Sequence, residues 1–340
     1  MARVNLLGAL GGAALAMCGM QPPGALANDS SAELSVGGLT FTHNADVSME
    51  SEDLTITPET VNVRYRMINN STAPVTLTVA FPLPDIDLSD PDSNLVIPSA
   101  DPINFVDFKT RIDGAPVNFD IRQRAFLGNK DVTESVRAAG LPILLTGSPM
   151  SRIKDLPAPT KERLVEQGLL VPAGTDDQGS PRYDAGWTVK TSIIRQQTFP
   201  PGQPVTVEHQ YRTSVGISFD SVLRKAVREQ ETMAAQVKRY RADYCVSDFF
   251  LRGLDRRTGA QAENVAGVQE RRISYILKTG ANWAGPIKNF RLVVDKGRAD
   301  RLVSFCGENV KRLTPTTFEM VAKDFVPQRD LKILLIGPLN

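Results

Sequence analysis

Alternating apolar and polar residues predict strands in the first third of the chain. Apolar side chains occupy every second position over 61–67, and the alternation resumes over 75–81 after a turn-rich Asn-Asn-Ser-Thr-Ala-Pro segment. Period-two patterning on both sides of a turn is typical of two strands that each bury one face. Asp113-Gly114 separates two further alternating segments, which predicts a hairpin. Pro116 favours an edge position for it, because proline cannot donate a backbone hydrogen bond.

The pattern changes in the middle of the chain. Prolines, glycines and short helical stretches replace the alternation over 128–186, which predicts a helical insertion with exposed loops. Strand patterning returns over 187–218. Apolar residues at helical spacing over 219–258 then predict one long amphipathic helix. We expect its apolar stripe to pack on its own domain rather than on a membrane surface.

These patterns together predict a mainly β fold class, with two β-sandwich-like domains, a helical insertion and one long amphipathic helix. The N-terminal β-sandwich is placed at 28–127, and the strands of 187–218 complete this β core. Alternation at the end of the chain places the C-terminal β-sandwich at 259–340. Two such domains fit a chain of 340 residues.

The first 27 residues have the parts of a secretory signal peptide. Arg3 is followed by an apolar run from Leu6 to Met20 and by the small-x-small sequence Ala25-x-Ala27. The run contains glycines and is shorter than the ~20 apolar residues that a spanning helix needs. We therefore predict cleavage after Ala27 (signal peptide 1–27), no transmembrane segment afterwards, and a periplasmic or secreted location.

Two cysteines remain after this cleavage, because Cys18 lies inside the signal peptide. Cys245 and Cys306 are 61 positions apart, and two thiols in an oxidising compartment most simply pair with each other. Closing such a loop stabilises a fold by about 4 kcal/mol in the loop-entropy picture. The sequence has no Cys-x-x-Cys motif, so we predict a structural disulfide and not a redox pair.

The charge of the chain is balanced overall but uneven along its length. The formal net charge is +1, which argues against a nucleic-acid partner. Residues 28–120 carry 15 acidic and four basic side chains, whereas the rest of the mature chain has an excess of 11 basic residues. This asymmetry either helps the two parts dock or presents different faces to partners.

An acidic loop is the one candidate for a metal site. Asp85, Asp87, Asp90 and Asp92 place oxygen side chains close together, and oxygen ligands suit Ca²⁺. The loop lacks the glycine and the distal glutamate of an EF-hand, so a solvated loop that leaves a strand is the preferred interpretation. We expect no metal site and no cofactor elsewhere.

Catalytic motifs are missing from the sequence. His209 shares a strand face with Val205, Val207 and Tyr211, as expected for a half-buried histidine. There is no Gly-x-Ser-x-Gly, no glycine-rich phosphate loop and no His-Glu-x-x-His. We therefore assign no catalytic residue, although a hydrolase with paired carboxylates far apart in sequence stays an alternative. Trp187 is expected in the core, as is Trp283.

Three segments of the chain resemble a bacterial family of exported proteins. They are Tyr65–Asn70 leading to Phe81–Pro84, then Gly280–Leu292, and then Val303–Cys306. They resemble the domain-of-unknown-function family numbered 4424, and the resemblance covers most of the mature chain. It implies a periplasmic protein and assigns no activity and no catalytic residues.

The expected function is a non-enzymatic binding module or an envelope-associated interaction module. The partner is left open, an envelope protein being one option. The alternatives are the hydrolase with paired carboxylates and a binding domain that Ca²⁺ stabilises through the acidic loop.

Overall fold

The computed structural model describes residues 30–35, 38–90, 95–145, 149–259 and 267–339. The predicted signal peptide and its cleavage site lie outside these residues. The described chain is mainly β, as predicted, and its strands form three large sheets and a separate hairpin.

The largest of these, the central sheet, has eight strands that come from both ends of the chain. Numbered along the chain and given in their order across the sheet, these strands are β20 (Lys311–Arg312), β21 (Thr317–Phe325), β18 (Ile287–Asp295), β3 (Val47–Ile56), β4 (Thr60–Asn69), β15 (Pro204–Arg212), β8 (Lys109–Ile112) and β9 (Ala115–Pro116). All its pairings are antiparallel except that of β3 with β18, which is parallel.

Two smaller sheets accompany the central sheet. The second sheet has the order β11 (Lys130–Asp131), β10 (Asp120–Leu127), β14 (Thr188–Phe199), β5 (Val75–Pro82), β1 (Ser30–Ser35) and β2 (Gly38–Thr42), and β6 (Ile86–Asp87) also pairs with β14. The third sheet has the order β19 (Leu302–Phe305), β22 (Leu331–Pro338), β17 (Val268–Tyr275), β16 (Val215–Ser218) and β7 (Leu95–Val96).

Both smaller sheets pack on the same face of the central sheet. Phe81 of the second sheet lies 5.0 Å from the His209 ring of β15, measured between ring centroids. Tyr275 of the third sheet lies with its hydroxyl 3.1 Å from that of Tyr65 on β4. Alternate residues of β4 are buried in this interface, and the residues between them are more accessible. The period-two pattern of the sequence therefore corresponds to one buried face of the central sheet.

The parallel pairing of β3 with β18 joins the predicted N-terminal and C-terminal parts. Residues 51–56 of β3 pair with 289–294 of β18, so strands from both parts contribute to one sheet. The boundaries at 28–127, 128–186, 187–218, 219–258 and 259–340 stay a prediction, since strand pairing alone does not divide a chain into domains.

The strands on either side of the Asn-Asn-Ser-Thr-Ala-Pro turn are present but belong to different sheets, β4 to the central and β5 to the second. Asn69 organises this corner from a fully buried position. Its amide donates to the carbonyls of Ala73 (2.8 Å) and Phe199 (2.9 Å), while its oxygen accepts from the Ser71 amide and hydroxyl. A side chain thus makes the bonds that a tight hairpin would have made through its backbone.

The hairpin predicted at Asp113-Gly114 is confirmed. Asp113 has a φ of 48° and Gly114 a φ of 82°, which is the pair of positive φ angles that a two-residue turn of this kind requires. Pro116 lies on β9, the last strand of the central sheet, so the predicted edge position is also confirmed.

The insertion contains three short helices and the separate hairpin. Besides β11, its elements in the described residues are α1 (Thr133–Ala138), α2 (Pro149–Lys154), α3 (Ala158–Glu166), β12 (Leu170–Thr175) and β13 (Pro181–Ala185). Leu144 and Leu164 are fully buried in the main core, and Trp187 donates its indole N–H to the Ile143 carbonyl at 2.8 Å. The insertion therefore contributes to the core of the sandwich.

The segment predicted as one long helix is interrupted. It comprises α4 (Lys225–Arg228), a 3₁₀ turn (Glu231–Met233) and α5 (Ala234–Tyr244), after which α6 (Asp248–Thr258) follows. Gln230 has extended backbone angles, which end the first helix. Arg228 holds α4 against α6 through a two-point contact with Asp255, at 2.6 and 2.7 Å. No helix in the described part of the chain is long and apolar enough to cross a bilayer.

The helices cover the outer face of the third sheet. Tyr240 and Leu254 pack with Val268, Leu334 and Ile336 in a hydrophobic cluster separate from the main core. The structure contains the predicted Cys245–Cys306 disulfide, with 5.0 Å between the two Cα atoms. This bond joins the C-terminal end of α5 to the end of β19.

Candidate functional site

A polar cleft lies between α5, the outer face of the third sheet and the segment that follows β5. We call it the polar cleft; its volume is about 470 Å³. Its floor contains Arg272 and Ser274 of β17, which point away from the main core because Ile273 and Tyr275 point into it. One wall is the face of α5 that carries Arg239, Tyr240, Asp243 and Tyr244, and the opposite wall is segment 84–90.

The floor of the polar cleft rests on a buried carboxylate. The side chain of Glu270 is only 1% exposed. Its Oε1 accepts hydrogen bonds from the Tyr240 hydroxyl (3.0 Å) and from Arg272 Nη1 (2.8 Å). Its Oε2 accepts from the Ser221 hydroxyl at 2.6 Å. Because a buried charge without partners costs several kcal/mol, these three bonds are what allow Glu270 to lie there.

The network sets the protonation of the groups that reach the cleft. Burial and the nearby negative charge of Glu270 raise the pKa of Tyr240 to about 12. Burial by itself would lower the pKa of Arg272, but Tyr240 and Glu270 outweigh it and the pKa is raised. At neutral pH the floor therefore presents a charged guanidinium and a neutral phenol, both held in fixed positions.

The predicted acidic loop forms the wall opposite α5. Asp85 lines the cleft and pairs with Lys190 of β14 at 2.8 Å. Asp87 also lines it, and its carboxylate accepts from the Ser89 amide and hydroxyl at 3.0 and 2.6 Å. Asp90 completes this wall, whereas Asp92 lies outside the described residues. Within the described ranges, no three acidic, histidine or cysteine side chains form a cluster that would suit a metal ion.

Two basic side chains, one on α5 and one on the third sheet, also line the cleft. Arg239 is exposed on α5 and lines the cleft. Lys332 of β22 also lines it and pairs with Asp243 of α5 at 2.8 Å. The cleft thus has carboxylates along segment 84–90 and basic groups on α5 and the third sheet, which is an arrangement that suits a charged polar ligand.

A larger, more apolar cleft opens where the central and third sheets separate. Its volume is about 790 Å³, and it is lined by Phe290, Met320 and Leu331 as well as by the disulfide. Burial raises the pKa of Asp330 at its edge. That carboxylate accepts from the backbone amides of Leu277 and Lys278, so its bonding serves the local backbone. We therefore take the polar cleft as the better candidate site.

The remaining residues that the sequence singled out lie in the core. His209 is 2% exposed and contacts the rings of Tyr65, Phe81 and Phe108, on the buried face where it was predicted. Both tryptophans are fully buried. None of these rings lines the polar cleft.

Sequence reasoning missed Glu270, Arg272 and Ser221. The alternation of β17 indicates only that Glu270 and Arg272 share a face opposite to Ile273. The sequence does not show that α5 covers this face, because Tyr240 of α5 is 30 residues away from Glu270 along the chain. The apolar stripe of the predicted helix, which includes Tyr240, was the available signal.

The chain belongs to the family described as "Domain of unknown function (DUF4424)", which it matches over residues 27–334. The resemblance carried by the three segments is therefore confirmed, and it extends over nearly the whole chain.

Solved structures offer only distant likenesses. A candidate nutrient-binding protein of Legionella pneumophila is 14% identical, with a TM-score of 0.42, over 92% of this chain and 70% of that one. An M1 zinc metallopeptidase of Deinococcus radiodurans is 8% identical, with a TM-score of 0.22, over 88% of this chain and 44% of that one. At these values neither likeness carries an argument about function. No curated protein matches the chain in sequence.

Proposed function

We propose that this protein is an exported, non-enzymatic binding module whose polar cleft takes a small polar solute. The observation that carries the proposal is the buried Glu270 network, which fixes Arg272 and Tyr240 at the floor of an open cavity of about 470 Å³. A cavity of this size fits a small molecule rather than a polymer.

The network is difficult to explain by stability alone. Replacing a buried ion pair with well-packed apolar residues is often neutral or stabilising. The helix-covered face of β17 already buries Val268 beside apolar residues of β22 and α6, so apolar packing is available there. Holding a guanidinium rigidly before a ligand arrives lowers the entropic cost of binding, and this gives the network a role.

Binding is favoured over catalysis by the state of the polar groups. The Ser221 hydroxyl is buried and donates to Glu270, so it is not presented to a substrate. The pKa of Tyr240 is raised to about 12, which keeps it protonated and makes it a poor base at neutral pH. His209 lies in the core among aromatic rings.

Export is part of the proposal, and it rests on the signal-peptide pattern of residues 1–27. N-terminal sequencing of the protein from the envelope fraction of its own cells tests it. We expect a mature chain that begins at Asn28. A full-length chain that begins at Met1 in the cytoplasm would contradict export and leave the binding proposal to be judged by the next experiment.

A thermal-shift screen tests the binding proposal. The panel contains free amino acids, short peptides, sugars, polyamines, dicarboxylates and phosphate, each at millimolar concentration. We expect at least one class to raise the melting temperature of the wild-type protein, because a ligand that binds only the folded state stabilises it. The blocked variant is Ser274→Trp, since Ser274 is exposed on the cleft floor and tryptophan would fill the cavity.

The matched control is Gln196→Trp, at an exposed strand position of β14 that does not line the polar cleft. It should keep the ligand response, whereas Ser274→Trp should lose it while melting within a few degrees of the wild type. The proposal is overturned if no class shifts the melting temperature. It is also overturned if Ser274→Trp responds as strongly as the control.

A further inference from the structure

We infer that the solute is a zwitterion, held through its carboxylate by Arg239 and through its ammonium by Asp87. This inference rests on the proposed function, because it names the ligand class of the same polar cleft. The basis of the inference is that some charged side chains of the cleft are already in ion pairs and others are not.

Three ion pairs neutralise most of the charge around the cleft. Each joins a carboxylate to a neighbouring base within 2.8 Å, and the pairs are Asp85 with Lys190, Asp243 with Lys332, and Glu270 with Arg272. A charged group of the ligand that displaced one of these partners would lose the favourable energy of the existing ion pair, and its own new contact would have to replace that energy. The paired groups are therefore poor places for a new ionic contact, so Arg272 gives the ligand a fixed polar surface at the floor and is not the partner of its charge.

Arg239 is different. It is exposed on α5, lines the cleft, and has no acidic partner among the residues that the structure describes. Gln236 and Asp243 also line the cleft, at the three- and four-residue spacing from Arg239 that places side chains side by side on a helix. A guanidinium in this position can bind a carboxylate through two parallel N–H bonds.

Asp87 is the corresponding anion on the opposite wall. It is exposed on β6, and within the described ranges its carboxylate accepts only from Ser89, which is a neutral donor. No cation in the described part of the chain neutralises it, in contrast to Asp85 two residues earlier. An incoming ammonium group would supply that cation and would leave the Ser89 contacts in place.

Arg239 and Asp87 therefore line the same cavity from different elements, and among the described residues neither has an oppositely charged partner, whereas Asp90 of the same wall has an interaction of its own. A ligand with a single charge would satisfy one of them and leave the other without a counterion. A ligand with both charges satisfies both, and its apolar or polar middle would lie over Ser274 and beside Tyr240 and Tyr244. Complementarity of this kind sets specificity more than total affinity.

Calorimetric titration with a ladder of ω-amino acids tests the inference on the full chain. The series glycine, β-alanine, 4-aminobutyrate, 5-aminovalerate and 6-aminohexanoate increases the distance between the two charges one methylene at a time. We expect affinity to peak at one member of the series. The primary amide of that member, which lacks the carboxylate, and its N-acetyl form, which lacks the ammonium, should each bind at least tenfold more weakly.

Two variants assign each charge to its residue. In Arg239→Gln the best ω-amino acid and its amide should bind equally, because the carboxylate no longer has its partner. In Asp87→Asn the best ω-amino acid and its N-acetyl form should bind equally, because the ammonium no longer has its partner. A general loss of structure would weaken all ligands together and would not remove one preference at a time.

The outcomes separate this inference from the proposed function. If a neutral or singly charged solute from the panel binds and Ser274→Trp abolishes it, while no ω-amino acid binds, the zwitterion inference is wrong and the binding module stands. If both variants keep the two preferences of the wild type, the assignment of Arg239 and Asp87 is wrong. If no solute of any class binds, both proposals fail.

Discussion

At the scale of single residues, two of the buried polar side chains connect separate elements of the fold through their hydrogen bonds. Asn69 and Glu270 are both almost fully buried, and each uses every bond that its position offers to join separate elements. Asn69 joins the two sheets at their corner. Glu270 joins α5 to the third sheet through Tyr240. Both roles depend on one side chain, and we therefore expect large effects from small substitutions.

We expect Asn69→Ala to lower the free energy of unfolding by about 2 kcal/mol, since it removes the side-chain donor to the buried Phe199 carbonyl and one of the two side-chain donors to the Ala73 carbonyl. Urea denaturation measures the change. Asn70→Ala is the control: Asn70 is exposed and donates to the Asp46 carbonyl at 3.0 Å. It should cost less than about 1 kcal/mol. Equal losses in the two variants would show that Asn69 does not hold the corner.

Tyr240→Phe removes one donor to Glu270 and one acceptor for Arg272. We expect it to cost about 1–2 kcal/mol of unfolding free energy and to weaken solute binding at the polar cleft. Tyr244→Phe is the matched control, because the hydroxyl of Tyr244 has no hydrogen-bond partner among the described residues. Its stability should stay within about 0.5 kcal/mol of the wild type. If both variants behave alike, Tyr240 does not organise the floor.

The raised pKa of Tyr240 predicts a loss of stability in alkali. An unfolded tyrosine ionises near pH 10, whereas the folded Tyr240 holds its proton until about pH 12. The folded state thus binds the proton more tightly, so its contribution is complete below pH 10 and is lost between pH 10 and pH 12. That loss is at most about 1.4 kcal/mol for each pH unit.

The difference between the wild type and Tyr240→Phe isolates this group from the other buried tyrosines. Unfolding free energies of the two proteins, measured from pH 8 to pH 12, should converge as the pH rises above 10. Parallel curves over the whole range would contradict the raised pKa.

At the scale of secondary-structure elements, the sequence predicted which segments are strands but not how they pair. Alternation reports which face of a strand is buried, so β4, β5 and β15 were all found. It carries no information about partners, so it did not show that the chain passes at Asn69 from β4 of the central sheet to β5 of the second sheet. The Asp113-Gly114 hairpin was predictable because its turn has a specific backbone requirement.

For the helical segment, the sequence predicted the buried face but not the break in the helix. Its apolar spacing is real, and Leu223, Tyr240 and Tyr244 do pack in one cluster. The break falls at Gln230, whose backbone is extended, and it lies beside the pairing of Arg228 with Asp255 of α6, a tertiary contact that no local pattern encodes. For the same reason the acidic wall of the polar cleft was visible in the sequence and the buried Glu270 network was not.

The disulfide belongs to this scale because it joins α5 to β19. Replacing both cysteines, as Cys245→Ser with Cys306→Ser, should lower the unfolding free energy by about 4 kcal/mol, since the bond closes a loop of 61 positions. The secondary structure should be kept, because Ser304 still donates to the Tyr244 carbonyl at 2.9 Å. Denaturant titration and circular dichroism measure the two quantities. Wild-type protein in a strong reductant is the control and should match the double variant.

At the scale of the whole molecule, the central sheet and its two companions form a support for a site on the outside. The parallel pairing of β3 with β18 brings strands from the N-terminal and C-terminal parts of the described chain into one sheet. The third sheet presents β17 and β22 to the helices. The polar cleft lies where segment 84–90, α5 and this sheet meet. Its walls come from segments that are distant in sequence, so no local sequence motif predicts the cleft.

Hydrogen–deuterium exchange, with and without the solute that most raises the melting temperature, tests the central claim most directly, because it locates binding along the chain. The account predicts slower exchange in α5 and in segment 84–90 when the solute is present. Protection confined to the apolar cleft at 306–309 and 326–330, or no protection at either place, would contradict the claim that the polar cleft is the binding site.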